Sequence, residues 1–560
     1  MDFRPLPIGI EDFEEMISHG YFYADKTLLI KELMDRGSKV NLFTRPRRFG
    51  KTLNLSMIQY FFEKGRDSAP LFQRLNIMNA GEKYTKHMNQ YPVINLTLKS
   101  ASRLDFKSSL ASLKNILLGE FRRHRYVLDS DKLENDLKAN YQEFLYETAS
   151  ESKYSSSLKF LSECLMKYHE KKVIILIDEY DVPLENAFFK GFYDEMVDFI
   201  RSLLGDALKT NSSLHFAVLT GCLRISKESI FTGLNNLDII SILSEHYNEY
   251  FGFTEDELEG ALIEYRLESK LEEVKKWYNG YLFGNTNVYN PWSVIYYLGD
   301  TSSNPDKMPS PYWSNTSSNH IIRSLIDKAN ANQRRELEQL ITGGSITKQI
   351  HEDITYDEID SSMDHLWNFL FFTGYLKKVS EEYRGRNLFL KLKIPNEEIA
   401  YVYENKIAEW TSDTINAKCH TVLYEGILTG NAEVFAEELN RYLGDSISYM
   451  DHYENFYHGF LVGLLTNIED YEVRSNRETG RGRSDIYIMS ALNKKTAAVM
   501  ELKVSDTYQN LGKYCDSALE QIAMKKYDEE LKNMGYQKVY RYGIAFHDKD
   551  CEVKLAADGI

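Results

Sequence analysis

The sequence predicts an α/β protein with a first domain built on a parallel sheet, a helical segment, a connector and a second α/β domain. Five short runs rich in apolar residues within the first 250 residues predict the strands of the first sheet: 40–44, 92–98, 173–177, 214–221 and 239–243. The third run has five consecutive apolar residues, which is typical of a strand that is buried on both faces. Strand patterns after residue 485 predict the second domain. The expected boundaries are 1–250, 251–350, 351–424 and 425–560.

A glycine-lysine-threonine turn follows the first predicted strand and precedes an amphipathic helix. This strand, turn and helix form the layout of a phosphate-binding loop, in which backbone N–H groups and the helix N-terminus hold phosphates. Lys51 would then neutralise the β/γ oxygens of the nucleotide, and Thr52 would bind Mg²⁺. A basic turn before a surface helix is the alternative interpretation.

The loop departs from the pattern G-x-x-x-x-G-K-[ST] because Arg45 replaces the first glycine. Pro46 restricts Arg45 to extended conformations, so rigidity can replace the freedom of glycine. Arg47 and Arg48 add positive charge beside the proposed phosphates. The predicted nucleotide-binding residues of the loop are Arg45, Pro46, Arg47, Arg48, Phe49, Gly50, Lys51 and Thr52.

Two carboxylates, Asp178 and Glu179, follow the buried strand 173–177. Doubly wound sheets bind ligands at the carboxyl ends of their strands, which is where this pair would lie. Asp178 would hold Mg²⁺ through water, and Glu179 would orient or deprotonate the attacking water. Capping of the next helix is the alternative role. The pair favours nucleotide binding because it and the Gly-Lys-Thr turn must meet at one metal ion.

The strand 214–221 carries a hydroxyl residue, Thr220, near its end. In nucleotide hydrolases with an additional strand between the two metal-site strands, a residue here senses the γ-phosphate, so Thr220 is the candidate. Arg224 would reach either the phosphate or a neighbouring subunit, which leaves a homo-oligomer open. A turn residue is the alternative role of Thr220.

The motifs of residues 1–300 resemble those of the AAA-ATPase-like family of bacterial and archaeal proteins, in which an arginine also replaces the first loop glycine. The resemblance implies a P-loop NTPase core of the additional-strand class, a helical lid, and ATP with Mg²⁺ as cofactors. Its motifs here are TRPRRFGKT, LIDEYD, LTGCLRISKESIFTGLNN, FGFTEDEL and WYNGYLFG.

The segment 351–424 predicts an apolar helix followed by strands. A helix followed by a hairpin is also the pattern of a winged-helix element. We interpret the segment as a connector.

A second group of candidate catalytic and metal-binding residues lies after residue 450. Glu454 opens a helical pattern, and Asp485 begins a strand pattern. Period 2 in the next strand places Glu501 and Lys503 on one face. If the two strands pair as a hairpin, Asp485 approaches Glu501. Two carboxylates can then bind a hard cation, and the Lys503 ammonium can activate water.

This Asp…Glu-x-Lys arrangement resembles the PD-(D/E)XK nuclease-like domain that commonly follows the AAA-ATPase-like family, over residues 425–560. The resemblance implies a restriction-endonuclease-like fold, and it places Gln521 and Tyr527 near the site. Ser484 stands where the family name has proline, a position without chemistry. A surface aspartate beside a Glu–Lys strand pair is the alternative interpretation.

The composition restricts the partners and the compartment. A net charge of -16 opposes diffuse attraction to nucleic acid or membranes, so any such contact requires a local basic patch. Arginines between the helix and the hairpin form the predicted patch: Arg474, Arg477, Arg481 and Arg483. The five cysteines are widely spaced and no signal peptide or membrane-spanning run is evident, so we expect a cytoplasmic protein that does not bind membranes.

The predicted function is ATP binding and hydrolysis coupled to metal-dependent cleavage of DNA or RNA. The alternative is an ATP-driven switch whose nuclease-like domain binds nucleic acid or protein without cleaving it. A small-molecule kinase is less favoured because no acceptor-site motif is evident.

Overall fold

The computed structural model describes most of the 560 residues. The described residues are 3–223, 230–231, 236–313, 331–352, 363–403, 421–444, 454–465, 468, 470–475, 486–490 and 495–556. The chain forms two compact units. The first comprises Met1–Ile321 and Ser345–Val402, and the second comprises Ile322–Gly344 and Tyr403–Ile560.

A five-stranded parallel sheet forms the centre of the first unit. Its strands are β1 (Val40–Thr44), β2 (Val93–Thr97), β3 (Val173–Asp178), β4 (Leu214–Gly221) and β5 (Leu237–Ile240). The order across the sheet is β2-β3-β4-β1-β5, so β4 lies between β1 and β3. This order confirms the predicted fold class, including the additional strand. Every residue of β1 and β3 is buried, as the apolar runs predict for central strands.

Eleven α-helices lie between the N-terminus and the end of the sheet among the described residues. They are α1 (Phe13–Ser18), α2 (Leu28–Arg36), α3 (Lys51–Phe62), α4 (Ala69–Phe72), α5 (Glu82–Thr85), α6 (Phe106–Arg123), α7 (Asn135–Leu145), α8 (Glu151–Ser155), α9 (Ser157–His169), α10 (Val182–Lys190) and α11 (Tyr193–Leu208).

Three helices and a short hairpin follow the sheet: α12 (Glu255–Glu264), α13 (Leu271–Tyr278), β6 (Tyr281–Phe283), β7 (Thr286–Val288) and α14 (Pro291–Ser303). A capping box between Thr254 and Glu257 fixes the start of α12. Gly280 has a φ of 101°, which glycine accommodates readily, and forms the turn between α13 and β6. A Cβ at this position would also lie 2.2 Å from the Pro395 carbonyl oxygen.

The sequence after α14 contributes to both units. Helix α15 (Ala331–Ile341) lies in the second unit. The first unit contains β8 (Ile346–Gln349), α16 (Met363–Phe372), β9 (Lys377–Arg384) and β10 (Asn387–Lys393). These three strands form an antiparallel sheet in the order β8-β10-β9.

A mixed five-stranded sheet forms the centre of the second unit, in the order β11-β12-β13-β14-β15. Its elements are α17 (Thr421–Thr429), α18 (Ala432–Gly444), α19 (Glu454–Leu465), β11 (Tyr471–Ser475), β12 (Ile486–Ser490), β13 (Thr496–Val504), α20 (Leu511–Lys525), α21 (Tyr527–Asn533), β14 (Lys538–His547) and β15 (Asp550–Leu555). Strands β13 and β14 are parallel, and the other neighbours are antiparallel. This sheet agrees with the predicted second α/β domain.

The helices of the described ranges lack the combination of length and apolar character that crossing a bilayer requires.

Candidate functional site

The loop between β1 and α3 has the geometry that its glycine predicts. Gly50 has a φ of 79° and caps the N-terminus of α3, a left-handed conformation that glycine adopts without steric cost. Arg48 also has a positive φ, of 70°. Two left-handed residues within three positions curve the backbone tightly before the helix begins. The loop therefore directs the positive end of the α3 dipole towards its own concave side.

The Lys51 side chain folds back over this loop and is buried. Its Nζ donates to the carbonyl oxygens of Arg45, at 3.0 Å, and Pro46, at 2.8 Å. The ammonium is thus held within the loop by neutral acceptors. A phosphate oxygen would be a stronger acceptor at the same place because it carries charge.

Asp178 joins the loop to two strands. One carboxylate oxygen, Oδ2, accepts a hydrogen bond of 2.6 Å from the Thr52 hydroxyl, and the other, Oδ1, accepts one from the Thr220 hydroxyl. The strand register explains why Asp178 and Thr220 meet. Ile177 of β3 pairs with Leu219 of β4, and Asp178 and Thr220 are the next residues of the two strands. Asp178 and Thr220 are both buried. The structure therefore brings together three residues that the sequence assigned to one site.

Glu179 directly follows β3 and has a φ of 52°, which is uncommon for a residue with a side chain. Burial and then the neighbouring Asp178 raise the pKa of Glu179, whereas Lys51 lowers it. A carboxylate with a raised pKa beside Lys51 has the properties of a proton acceptor for water. Its role as the water-orienting residue stays a prediction.

The Arg45 side chain lies away from the concave side of the loop. It is fully buried, and Nη1 donates to the Ile240 carbonyl at 2.8 Å. The guanidinium also lies 5.2 Å from the Phe251 ring centroid and 5.0 Å from that of Phe283. Burial lowers its pKa to about 9. Arg45 thus contributes its backbone carbonyl to the loop, and its side chain packs the loop onto β5, Phe251 and β6.

The other loop side chains also have partners within the first unit. Arg47 forms an ion pair of 2.6 Å with Glu185. The Arg48 guanidinium lies 3.9 Å from the Trp292 ring centroid, at the start of α14. These contacts hold both guanidinium groups against other side chains of the first unit.

Two residues of the loop contact apolar surroundings. Phe49 is buried, with its ring centroid 4.9 Å from that of Tyr281 on β6. Pro46 lies so close to Gly374 that a Cβ built on this glycine would be 3.0 Å from the Pro46 Cβ. The loop between β1 and α3 is therefore packed between the sheet, the β6–β7 hairpin and the segment after α16.

Sequence reasoning missed the role of Asp181, which supports the segment after β4. Its buried carboxylate accepts from the backbone N–H groups of Cys222, at 2.7 Å, and Leu223, at 3.0 Å. The Tyr180 hydroxyl donates to the Leu223 carbonyl at 2.6 Å. The second aspartate of the LIDEYD motif was the available signal. Arg224, the next residue of this segment, lies outside the described residues.

The second candidate site lies on the hairpin of β12 and β13, which the sequence predicted. Ile486 pairs with Met500 in an antiparallel register. Asp485, which precedes Ile486 in the chain, lies outside the described residues. Its approach to Glu501 stays a prediction.

Three described side chains meet at the end of β13. The Lys503 Nζ donates to Gln521 Oε1 at 2.8 Å and lies 3.5 Å from Glu501 Oε1. The Gln521 amide on α20 donates to the same Glu501 oxygen. Glu501 is 2% exposed, so an ammonium and an amide surround a buried carboxylate. The resemblance implied only that Gln521 lies near the site, and the structure places it against Glu501 and Lys503.

The remaining candidates of this site are only partly described. The backbone of Glu454 begins α19, and its side chain lies outside the described residues, as do Arg477, Arg481 and Arg483. Arg474 is exposed and its Nε donates to Glu472 at 2.8 Å. Tyr527 is buried in an apolar cluster at the start of α21. Within the described ranges, no three His, Cys, Asp or Glu side chains form a metal-binding group.

Comparisons with known protein families agree with this division of the chain. Residues 7–231 match the model of the AAA-ATPase-like family, described as "Predicted AAA-ATPase", and residues 452–555 match a model of the PD-(D/E)XK nuclease superfamily. The chain combines an AAA-ATPase-like domain with a PD-(D/E)XK nuclease superfamily domain. The sequence resemblance is thereby confirmed.

The chain is also similar along almost its whole length to a protein of Azotobacter chroococcum mcd 1. That protein is described as "Uncharacterized protein in vnfD 5'region". The two are 25% identical over 566 residues, which cover 98% of this chain and 97% of the relative. The similarity therefore includes both domains and the sequence between them.

Proposed function

We propose that this protein binds and hydrolyses ATP in its first unit and cleaves nucleic acid, DNA or RNA, in its second. The observation that carries the proposal is the Asp178 carboxylate, which accepts hydrogen bonds from Thr52 of the loop and Thr220 of the additional strand. Three sequence-distant residues meet there at the mouth of a phosphate-binding loop. The carboxylate and the Thr220 hydroxyl are buried, and this cost is explained if the group binds a metal nucleotide.

The donor set of this site fits Mg²⁺. The Thr52 hydroxyl and the Asp178 carboxylate supply hard oxygen atoms, and Mg²⁺ is usually held by one or two such groups together with phosphates. When bound, the ion would neutralise charge that develops on the transferred phosphoryl group. Lys51 would bind the β/γ oxygens, and Glu179 would orient the attacking water and accept its proton.

The group of Glu501, Lys503 and Gln521 supports the nuclease assignment. Glu501 supplies one carboxylate suited to a divalent ion, and Asp485 is the proposed second ligand. When bound, such an ion supplies a Lewis acid for phosphodiester hydrolysis. Gln521 fixes the Glu501 carboxylate and the Lys503 ammonium relative to each other, and Lys503 stabilises the charge of the transition state.

The nucleotide site is tested by two variants with different expected defects. Lys51→Ala should lose most ATP affinity because it removes the cation at the β/γ oxygens. Glu179→Gln should retain ATP binding and lose turnover, since only the chemical step requires the carboxylate. Titration calorimetry and phosphate release measure the two properties. Unchanged hydrolysis in Glu179→Gln would refute the assignment of Glu179.

The nuclease site is tested by incubating the protein with mixed DNA and RNA in Mg²⁺, Mn²⁺ or EDTA. Wild-type protein should cleave only with metal, and both Asp485→Ala and Glu501→Ala should abolish cleavage. Cleavage that survives Asp485→Ala would place the activity elsewhere. If wild-type protein binds nucleic acid but cleaves none under any metal and nucleotide condition, the alternative of a binding switch without cleavage is correct.

A further inference from the structure

The amino ends of the central strands carry lysines at the edge of the sheet opposite the nucleotide loop. Lys39 directly precedes β1, and Lys171 and Lys172 directly precede β3. Lys64 and Lys86 lie on the segments that lead to β2. We name these five lysines the basic edge. None of them has a part in the two candidate sites described above.

Backbone hydrogen bonds bring these segments side by side. The Ile174 N–H donates to the Pro92 carbonyl at 3.0 Å, which joins the starts of β3 and β2. The Ala217 N–H donates to the Lys39 carbonyl at 2.9 Å, and the Lys64 N–H donates to the Tyr91 carbonyl at 2.8 Å. Because all five strands are parallel, their amino ends lie on one edge. The lysines therefore share one surface.

A stack of three rings forms the floor of this surface. The Tyr91 ring lies parallel to His215, with centroids 4.6 Å apart, and to His87, with centroids 5.8 Å apart. The Tyr91 hydroxyl and His87 Nδ1 are hydrogen-bonded at 2.6 Å. Lys39 Nζ donates to the His215 carbonyl at 2.8 Å. These contacts fix the rings and hold the Lys39 ammonium at the His215 backbone.

The surface has an excess of positive charge. Lys64, Lys86, Lys171 and Lys172 are exposed, and none of them forms an ion pair within the described part of the chain. Two acids are adjacent to these lysines along the chain. Glu63 is buried and pairs with Arg66 and Arg123, and the exposed Glu170 pairs with Lys132 at 2.9 Å.

The lysines also contribute to lowering the pKa values of two histidines on this surface. Burial and then Lys39 lower the pKa of His215 to about 4, with smaller effects of His87, Lys172 and Lys171. Burial, Lys86 and Lys171 lower the pKa of His87. Both imidazoles therefore experience a common positive field, which agrees with one continuous patch.

We propose that the basic edge binds the phosphate backbone of the nucleic acid on which the nuclease domain acts. This inference rests on the proposed function for the identity of the polymer. A local patch of unpaired lysines is what a chain of net charge -16 requires to contact a polyanion. The loop arginines are less suited, because Arg47 is paired with Glu185 and Arg48 is stacked on Trp292. Contacts to phosphates alone would bind without sequence preference.

The test measures the salt dependence of nucleic-acid binding by the full chain. The variant replaces the four exposed lysines by glutamine: Lys64→Gln, Lys86→Gln, Lys171→Gln and Lys172→Gln. The matched control replaces four exposed lysines outside the basic edge: Lys107→Gln, Lys190→Gln, Lys307→Gln and Lys391→Gln. Fluorescence anisotropy of labelled single-stranded and duplex DNA is recorded in EDTA from about 50 to 200 mM KCl, the range in which backbone contacts dominate affinity.

The basic-edge variant should bind at least about tenfold more weakly at low salt, and the slope of log K against log salt should fall by about 3, since each phosphate contact contributes about 0.7 to 0.9. The control and the nucleic-acid-free ATP turnover of both variants should match wild type. An unchanged slope in the basic-edge variant would overturn the inference alone. No binding by wild type would overturn the nucleic-acid function as well. Equal competition by polyglutamate would instead identify an acidic protein as the partner and overturn the proposal.

Discussion

The hydroxyl of Thr220 provides the most direct test of the proposed nucleotide site because a valine can replace threonine with little change in shape. Thr220→Val removes the hydrogen bond to the buried Asp178 Oδ1. Losing a charge-assisted hydrogen bond at a buried carboxylate costs about 2 kcal/mol, because no water molecule replaces the lost hydroxyl donor at the buried oxygen. We expect the free energy of unfolding to fall by that amount. ATP turnover should fall by up to about 30-fold, the factor that 2 kcal/mol represents.

Urea unfolding monitored by tryptophan fluorescence measures the loss, because four of the five tryptophans lie in the first unit. Thr97→Val is the matched control. Thr97 is exposed at the end of β2 and pairs with Asp178 across the sheet, so its replacement should change stability by less than about 0.5 kcal/mol. Thr220→Ser should restore most of the loss. Equal stability and turnover in Thr220→Val and wild type would refute the role of the Asp178 hydrogen bonds.

Three further predictions concern other parts of the chain. Burial raises the pKa of Glu398 to about 7, so the retained proton stabilises the fold below about pH 4.5 and this stability is lost as the pH rises through 7. Glu398→Gln should therefore be more stable than wild type by about 3 kcal/mol at pH 8 and equal to it near pH 4.5. Urea unfolding measures both stabilities, and equal stabilities of variant and wild type at both pH values would contradict the raised pKa. Lys503→Met should slow cleavage strongly without changing metal affinity, and Gln521→Leu should slow cleavage less, also without changing metal affinity. Single-turnover kinetics measure the cleavage rate, and titration with metal measures the affinity. Loss of metal binding in Lys503→Met would contradict the role of Lys503 in the transition state. Gly543→Ala should destabilise the second unit by about 2 kcal/mol, because a Cβ there would lie 2.3 Å from the Cys515 carbonyl oxygen. Amide hydrogen exchange of β14 measures the effect, and unchanged protection from exchange would contradict the prediction.

Local patterns were sufficient to predict the sheet and the meeting of side chains at the centre of the candidate nucleotide site. Continuous apolar runs identify buried parallel strands, and polar residues at their carboxyl ends must converge. Asp178, Thr52 and Thr220 therefore met as expected. The hairpin that carries Glu501 and Lys503 followed from period 2 and an intervening turn.

Contacts between distant segments limited the prediction elsewhere. Arg45 was expected to bind nucleotide as the loop residue that replaces the first glycine, but its side chain packs against Phe251 and Phe283, about 200 residues further on. Nothing in the loop itself encodes that pocket. Asp181 was missed for a related reason, since its carboxylate accepts hydrogen bonds from backbone N–H groups that follow a different strand, β4. The position of Gln521 followed from family resemblance alone, because helix periodicity does not specify which strand a helix contacts.

The measurement that tests the central claim most directly is the rate of metal-dependent nucleic-acid cleavage with and without ATP, in wild type and in Lys51→Ala. If one chain couples the two sites, ATP should change the cleavage rate of wild type. Lys51→Ala should cleave at the ATP-free rate whether ATP is present or absent, because its nuclease residues are intact. Equal rates with and without ATP in wild type, measured where ATP binding is saturated, would contradict coupling. Absence of cleavage under all conditions would contradict the nuclease function itself.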